Sequence, residues 1–100
     1  MKQVRFHRSA RADLEQAVDY YERHRSGLGL DLQDEVEAAV CRIEQNPQGG
    51  APYKNTPFRY RVVRRFPYVV FYRDLEDAIW IVAVAHGKRR PDYWSRRRVP

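Results

Sequence analysis

The chain offers little sulfur and no recognisable metal-ligand spacing. Cys41 is the single cysteine in 100 residues, so no disulfide closes within the chain. Its place in a helical pattern predicts a small buried thiol rather than a nucleophile or a ligand. His7, His24 and His86 fall into no HxxxH pattern, and one cysteine makes no CxxC, so neither a metal site nor a cofactor is expected. No apolar run approaches the length of a membrane span, and the start MKQVRFHRSARADL has no apolar signal core. A cytoplasmic protein with no membrane partner is therefore expected. Repeats are missing, and the closing RRRVP is the one low-complexity stretch. QGGAP alone looks like a linker and is too short to separate domains. One domain over residues 1–100 follows, with room for a single modest core.

Charge is abundant and unevenly placed. Residues 1–8 carry +3, residues 9–46 carry 4 basic against 9 acidic side chains (net −5), and residues 47–100 carry 12 basic against 4 acidic (net +8). A chain with an acidic middle and a cationic second half suggests a basic surface facing phosphates or an acidic partner. The bland alternative is a composition rich in arginine throughout.

The stretch from Phe58 to His86 organises the rest. Phe58, Tyr60 and Val62 alternate with Arg59 and Arg61, the period of a strand with one buried face and one wet, cationic face. Tyr68–Tyr72 (YVVFY) and Ile79–Ala85 (IWIVAVA) are nearly continuous apolar and β-branched or aromatic runs, as in strands covered on both sides. Phe66-Pro67, Asp74–Asp77 and Gly87 bound them as turns. Upstream, Val4 and Phe6 mark a short first strand within residues 1–8. Ser9 is a candidate N-cap, and Asp13 and Glu15 sit early, where a helix dipole favours acids. Ala10, Leu14, Ala17, Val18 and Tyr21 form one helical stripe. Leu32, Val36, Ala39, Val40 and Ile43 form a second, after a connection punctuated by Gly27 and Gly29. Two such helices over residues 9–46 make an antiparallel hairpin. Asn46-Pro47 ends it, residues 47–57 form a loop, residues 58–86 a three-stranded meander and residues 87–100 a basic tail. The fold class is α+β, in the order β-α-α-β-β-β, with the hairpin on one face of a mainly antiparallel sheet. The other face, expected to carry Arg59 and Arg61, would stay open or hold the tail.

This order of elements, with ADLEQAVDYYE in the first helix, NP after the second, RYRVVRRFPYVVFYR in the meander and IWIVAVAHGKRRPDYW at the end, resembles the RelE/ParE superfamily of bacterial toxins from type II toxin-antitoxin modules. FPYVVFYR and VAVAHGKRRPDYW are most similar to the ParE-like, plasmid-stabilisation branch. The resemblance implies a growth inhibitor neutralised by a cognate antitoxin. Its target would be DNA gyrase, bound without chemistry, or else the ribosome with its mRNA, cut as by RelE.

Cleavage by a 2′-hydroxyl needs a group to take its proton, one to protonate the leaving oxygen, and cations for the charge on phosphate. If the chain is a nuclease, the resemblance implies Arg61, His86 and Arg90 as the catalytic cluster. As contacts to phosphate, target or antitoxin it implies Arg59, Arg61, Arg64, Arg65, Arg89, Arg90, Tyr93 and Trp94. Each has a quieter reading. His86 serves equally as an acid or base or as a hydrogen-bonded strand end, since an imidazole titrates near neutral pH. Arg59 and Arg61 read as phosphate or acidic-partner contacts before catalysts. Tyr93 and Trp94 either stack on a base or pack the tail onto the sheet. Arg96, Arg97 and Arg98 read as a disordered, solvated end. The tail departs from the RelE pattern, which together with the ParE-like strand block favours the binding toxin.

Overall fold

Residues 2–90 and 92–99 are described by the computed structural model. Pro91 and Pro100 of the predicted tail, and Met1 of the first strand segment, lie outside them. Seven elements run in order: β1 (Gln3–Phe6), α1 (Arg8–His24), α2 (Leu28–Gln45), β2 (Ala51–Pro52), β3 (Phe58–Val62), β4 (Tyr68–Asp74) and β5 (Ala78–His86). The strands form one sheet in the order β1-β5-β4-β3-β2, antiparallel except for the parallel pair β1–β5. The α+β class and the order of elements match the expectation, with one addition. The predicted loop 47–57 contains β2, whose Ala51 and Pro52 pair with Tyr60 and Arg59. Proline is tolerated there because β2 is an edge strand with a side that needs no donor. Among the described residues, no helix is long and apolar enough to cross a membrane.

Helix α1 begins one residue earlier than predicted, and Ser9 is not its cap. His7 is, with an extended backbone and its Nδ1 accepting from the Ser9 N–H at 3.0 Å. No acid stands in the first turn, so the dipole role foreseen for Asp13 and Glu15 is not filled. Both predicted stripes are inside: Ala10, Ala17, Leu32, Val36, Ala39 and Ile43 are buried, with Leu14, Val18, Tyr21 and Val40 packed against them. Cys41 is exposed, contrary to expectation. It lies two residues from both Ala39 and Ile43, about 200° around the helix from each, and so faces away from the stripe.

The hairpin turn has its own chemistry. Gly27 takes the left-handed conformation (φ 90°) that ends the link and caps α2. Gly29 lies inside α2 rather than in the link. There a Cβ would meet the Val18 carbonyl at 2.5 Å, so the two helices touch through backbone. Glu22 of α1 accepts from the Gly27 and Gly29 N–H groups at 2.8 and 2.9 Å and thereby satisfies the start of α2.

The facing of β3 is the main departure. Arg59 pairs with Tyr72 and Arg61 with Val70, and directly paired residues share a face. Tyr72 and Val70 belong to the core under the helices, so the two arginines are on the helix side. Phe58 and Tyr60 are on the other, where Phe58 joins Tyr53, Phe71, Trp80, Tyr93 and Val99 around buried Val82, Ala83 and Trp94. Val62, placed on the buried face by its alternation, is 61% exposed. In β5, Ala83 pairs with Phe71 but Ile81 pairs with Tyr72, so Val82 is an extra residue in a bulge.

Candidate functional site

Strand β5 is longer than its neighbour β1, which pairs only with Ala78–Ile81. Beyond Ile81, no strand among the described residues pairs with the outer edge of β5, and side chains take its place. The Val84 N–H donates to Asp13 Oδ2 at 3.1 Å, and the Val82 carbonyl accepts from Arg97 Nη1 at 2.9 Å. Arg97 and Asp13 meet fork to fork, at 2.7 Å (Nη1 to Oδ2) and 3.1 Å (Nη2 to Oδ1). An edge that would otherwise template a foreign strand is thus blunted by an ion pair. Tyr93 donates to the same Oδ2 at 3.3 Å. Burial, and then the Asp13 charge, push its phenol up to about 12. Arg97, expected in a solvated end, instead pins the tail. Asp13 was missed by sequence reasoning although a signal exists: it stands within the buried stripe, three residues after Ala10 and four before Ala17.

The pinned tail lays Trp94, 2% exposed, on the aromatic face. Its ring centroid is 4.4 Å from that of Phe71, 5.0 Å from Phe58 and 5.4 Å from Tyr53. A cavity of 180 Å³ remains between tail and sheet. Val69, Phe71, Ala85 and Trp94 line its apolar side, and His86, Arg89, Arg90 and Tyr93 also line it. The Arg89 guanidinium lies over the Tyr93 ring at 4.1 Å. His86 Nδ1 accepts from the Lys88 N–H at 3.0 Å, and its ring meets Tyr68 edge-on at 5.1 Å. Asp92, on the same cavity, accepts from the Tyr53 hydroxyl and, at 3.0 Å, from Lys54. Those bonds, Tyr53's first, hold its carboxyl below the usual carboxylate range, and the Asp92 bond raises the Tyr53 phenol in return.

The strand and turn arginines separate. Arg59 donates through Nη1 to the Gln48 and Gly50 carbonyls at 3.2 and 2.8 Å, holding the loop before β2. Arg65 meets Asp31 and Glu35 of α2, each at 3.6 Å, and covers the Phe66 ring. Arg61 and Arg64 line a 420 Å³ cleft at the β2–β3 end of the sheet. Arg42, which sequence reasoning did not single out, lines it as well. The signal for Arg42 was a base in the last turn of an otherwise acidic helix. The structure therefore gathers His86, Arg89, Arg90, Tyr93 and Trp94 around one cavity and Arg61 and Arg64 around another. Arg61, His86 and Arg90, the cluster predicted for a nuclease, are divided between the two.

Comparison with known proteins gives a consistent result. The family model described as ParE toxin of type II toxin-antitoxin system, parDE, matches residues 4–91. Toxin ParE2 of Mycobacterium tuberculosis, in strains CDC 1551 / Oshkosh and ATCC 25618 / H37Rv, is 34% identical over 97 residues, covering 91% of this chain and 87% of the relative. Among solved structures, a chain of the chromosomal ParDE TA system from P. aeruginosa superposes with a TM-score of 0.77 at 22% identity, covering 86% of this chain and 96% of that one. At that identity the likeness is one of fold.

Proposed function

The chain belongs to the ParE toxin family of type II toxin-antitoxin systems, and from that premise we propose that it arrests growth in the cytoplasm by binding DNA gyrase, performing no chemistry of its own. A cognate antitoxin, acidic where it meets the cationic half of the chain, neutralises it. The observation that carries the binding reading is the employment of the tail. Tyr93 is fixed to Asp13 with its phenol raised to about 12, and Trp94 is buried in the aromatic cluster. The tail aromatics are thus spent on holding the tail down, and the cluster a nuclease would need is divided, with His86 and Arg90 on one cavity and Arg61 on another. The second reading, ribosome-dependent mRNA cleavage, rests on His86, Arg89 and Arg90 sharing one cavity.

Expression of the chain alone tests the toxin reading. Growth is expected to stop, and co-expression of a short acidic protein from the neighbouring gene is expected to restore it. Normal growth with soluble, folded chain in the cells would contradict the proposal.

A further inference from the structure

The cleft at the β2–β3 end of the sheet has a charge arrangement unlike the rest of the surface. Arg42 from the last turn of α2, Arg61 from β3 and Arg64 from the β3–β4 turn line it, with Gly49, Gly50, Ala51, Tyr60, Val62 and Val63. Among the described residues, no carboxylate lines it. Five side-chain ion pairs form among the described residues and none uses these three arginines. Arg65, next in sequence to Arg64, faces two carboxylates of α2. Paired and unpaired arginines therefore stand side by side.

Arg61 is the informative member. Its Nε is the one buried side-chain nitrogen or oxygen among the described residues that lacks a hydrogen-bond partner. Buried polar groups are paired in the great majority of cases, so an exception calls for an explanation, a bound anion being one. The guanidinium rests on Gly49, where a Cβ would meet Nη2 at 2.6 Å. The glycine makes room for the fork without bonding it. Arg59, two residues earlier on the same face, is committed to two carbonyls. Arg61 can turn into the cleft and gain bonds without breaking any.

We infer that this cleft is an anion site that takes the phosphodiester backbone of a nucleic acid. A carboxylate offers two oxygens and is satisfied by one guanidinium fork, whereas three forks from three elements suit a phosphate, or two successive phosphates along a strand. The cleft sits at a sheet end where Val62 is 61% exposed, so a long polymer reaches it from outside. Contacts of this kind position a protein on a duplex without reading its sequence. The inference does not depend on which enzyme the toxin blocks.

The test is fluorescence anisotropy of the full chain with a short labelled DNA duplex across a series of salt concentrations. Arg42→Gln, Arg61→Gln and Arg64→Gln are each expected to weaken binding several-fold and to lower the slope of log K against log salt by about 1. Arg23→Gln, near the hairpin turn and away from the cleft, removes the same charge and should leave the slope unchanged. Arg64 is exposed at a turn, so its variant folds even if Arg61→Gln does not. In parallel, the Arg61 Nε–H resonance is followed during titration with inorganic phosphate and with polyglutamate. A shift with phosphate supports the inference. Slopes equal to the parent's in all three variants would overturn it. So would an Arg61 response to polyglutamate alone, which would assign the cleft to an acidic protein. Neither result depends on growth arrest or on gyrase inhibition.

Discussion

The two faces of the sheet are closed by different means. On one, two helices cover aliphatic side chains: Leu32, Val36 and Ile43 lie over Val70, Ile79 and Ile81, all fully buried. On the other, the tail covers aromatic rings and is fastened by polar groups, chiefly Asp13 with Arg97 and Tyr93. The first closure is non-directional and scales with apolar area, so it belongs to the cooperative core. The second depends on a few directional contacts between residues some eighty positions apart in sequence, and such a segment opens locally at lower cost than the whole molecule unfolds. A cooperative closure and a locally releasable one thereby occupy opposite sides of one sheet.

The largest effect expected is on the helix face. Val70→Asp or Ile81→Asp places an unpaired charge in the core, costing several kcal/mol against a total of about 5 to 15. Circular dichroism should show no cooperative melt in either, while Arg61→Ala should melt like the parent. Next comes the fastening of the tail. Asp13→Asn is expected to free residues 92–97 without unfolding the helices. The Ser95 and Arg97 amides, which donate to the Asp92 and Trp94 carbonyls, should exchange at least about tenfold faster, equivalent to about 1.4 kcal/mol of local opening. Loss of the helical signal in that variant would merge the two faces into a single cooperative unit.

Alkali separates the faces more gently. The Tyr93 phenol is raised to about 12 in the folded chain, against about 10 when unfolded. Its contribution is fully present below pH of about 10 and is lost as pH rises through about 12, because the unfolded state gives up that proton first. Tail-specific Trp94 fluorescence should change in that window, and Tyr93→Phe should remove the last portion of the phenolate absorbance titration. The smallest effect belongs to Lys54. Its pair with Asp92 is exposed, and such pairs add little. Lys54→Ala should leave Tm unchanged, whereas a clear drop would mean that the rim of the cavity, and not Asp13, carries the tail.

Both helical stripes and all three meander strands were legible because burial on one side imposes a period, and the period is local. The sign of a face is not local. Alternation in β3 separates Arg59 and Arg61 from Phe58 and Tyr60, but which set faces the helices depends on register with β4. There Arg61 falls opposite Val70. The expected rule, apolar toward the helices, fails because the tail supplies a second apolar layer that takes the aromatic set. Arg97 looked like one of three solvated arginines, since its partner Asp13 is 84 residues away. The site was half legible: His86, Arg89, Arg90, Tyr93 and Trp94 do converge on one cavity, while Arg97 takes its place only through tertiary contact with Asp13.

The most direct test of the binding-toxin reading is a supercoiling assay with purified gyrase and the full chain, run beside mRNA end mapping in a translating extract. Stalled supercoiling with intact message is the predicted result, with inhibition falling gradually as cationic residues are removed one at a time. Unimpaired supercoiling together with codon-positioned cuts that vanish in His86→Ala would contradict it and establish the nuclease.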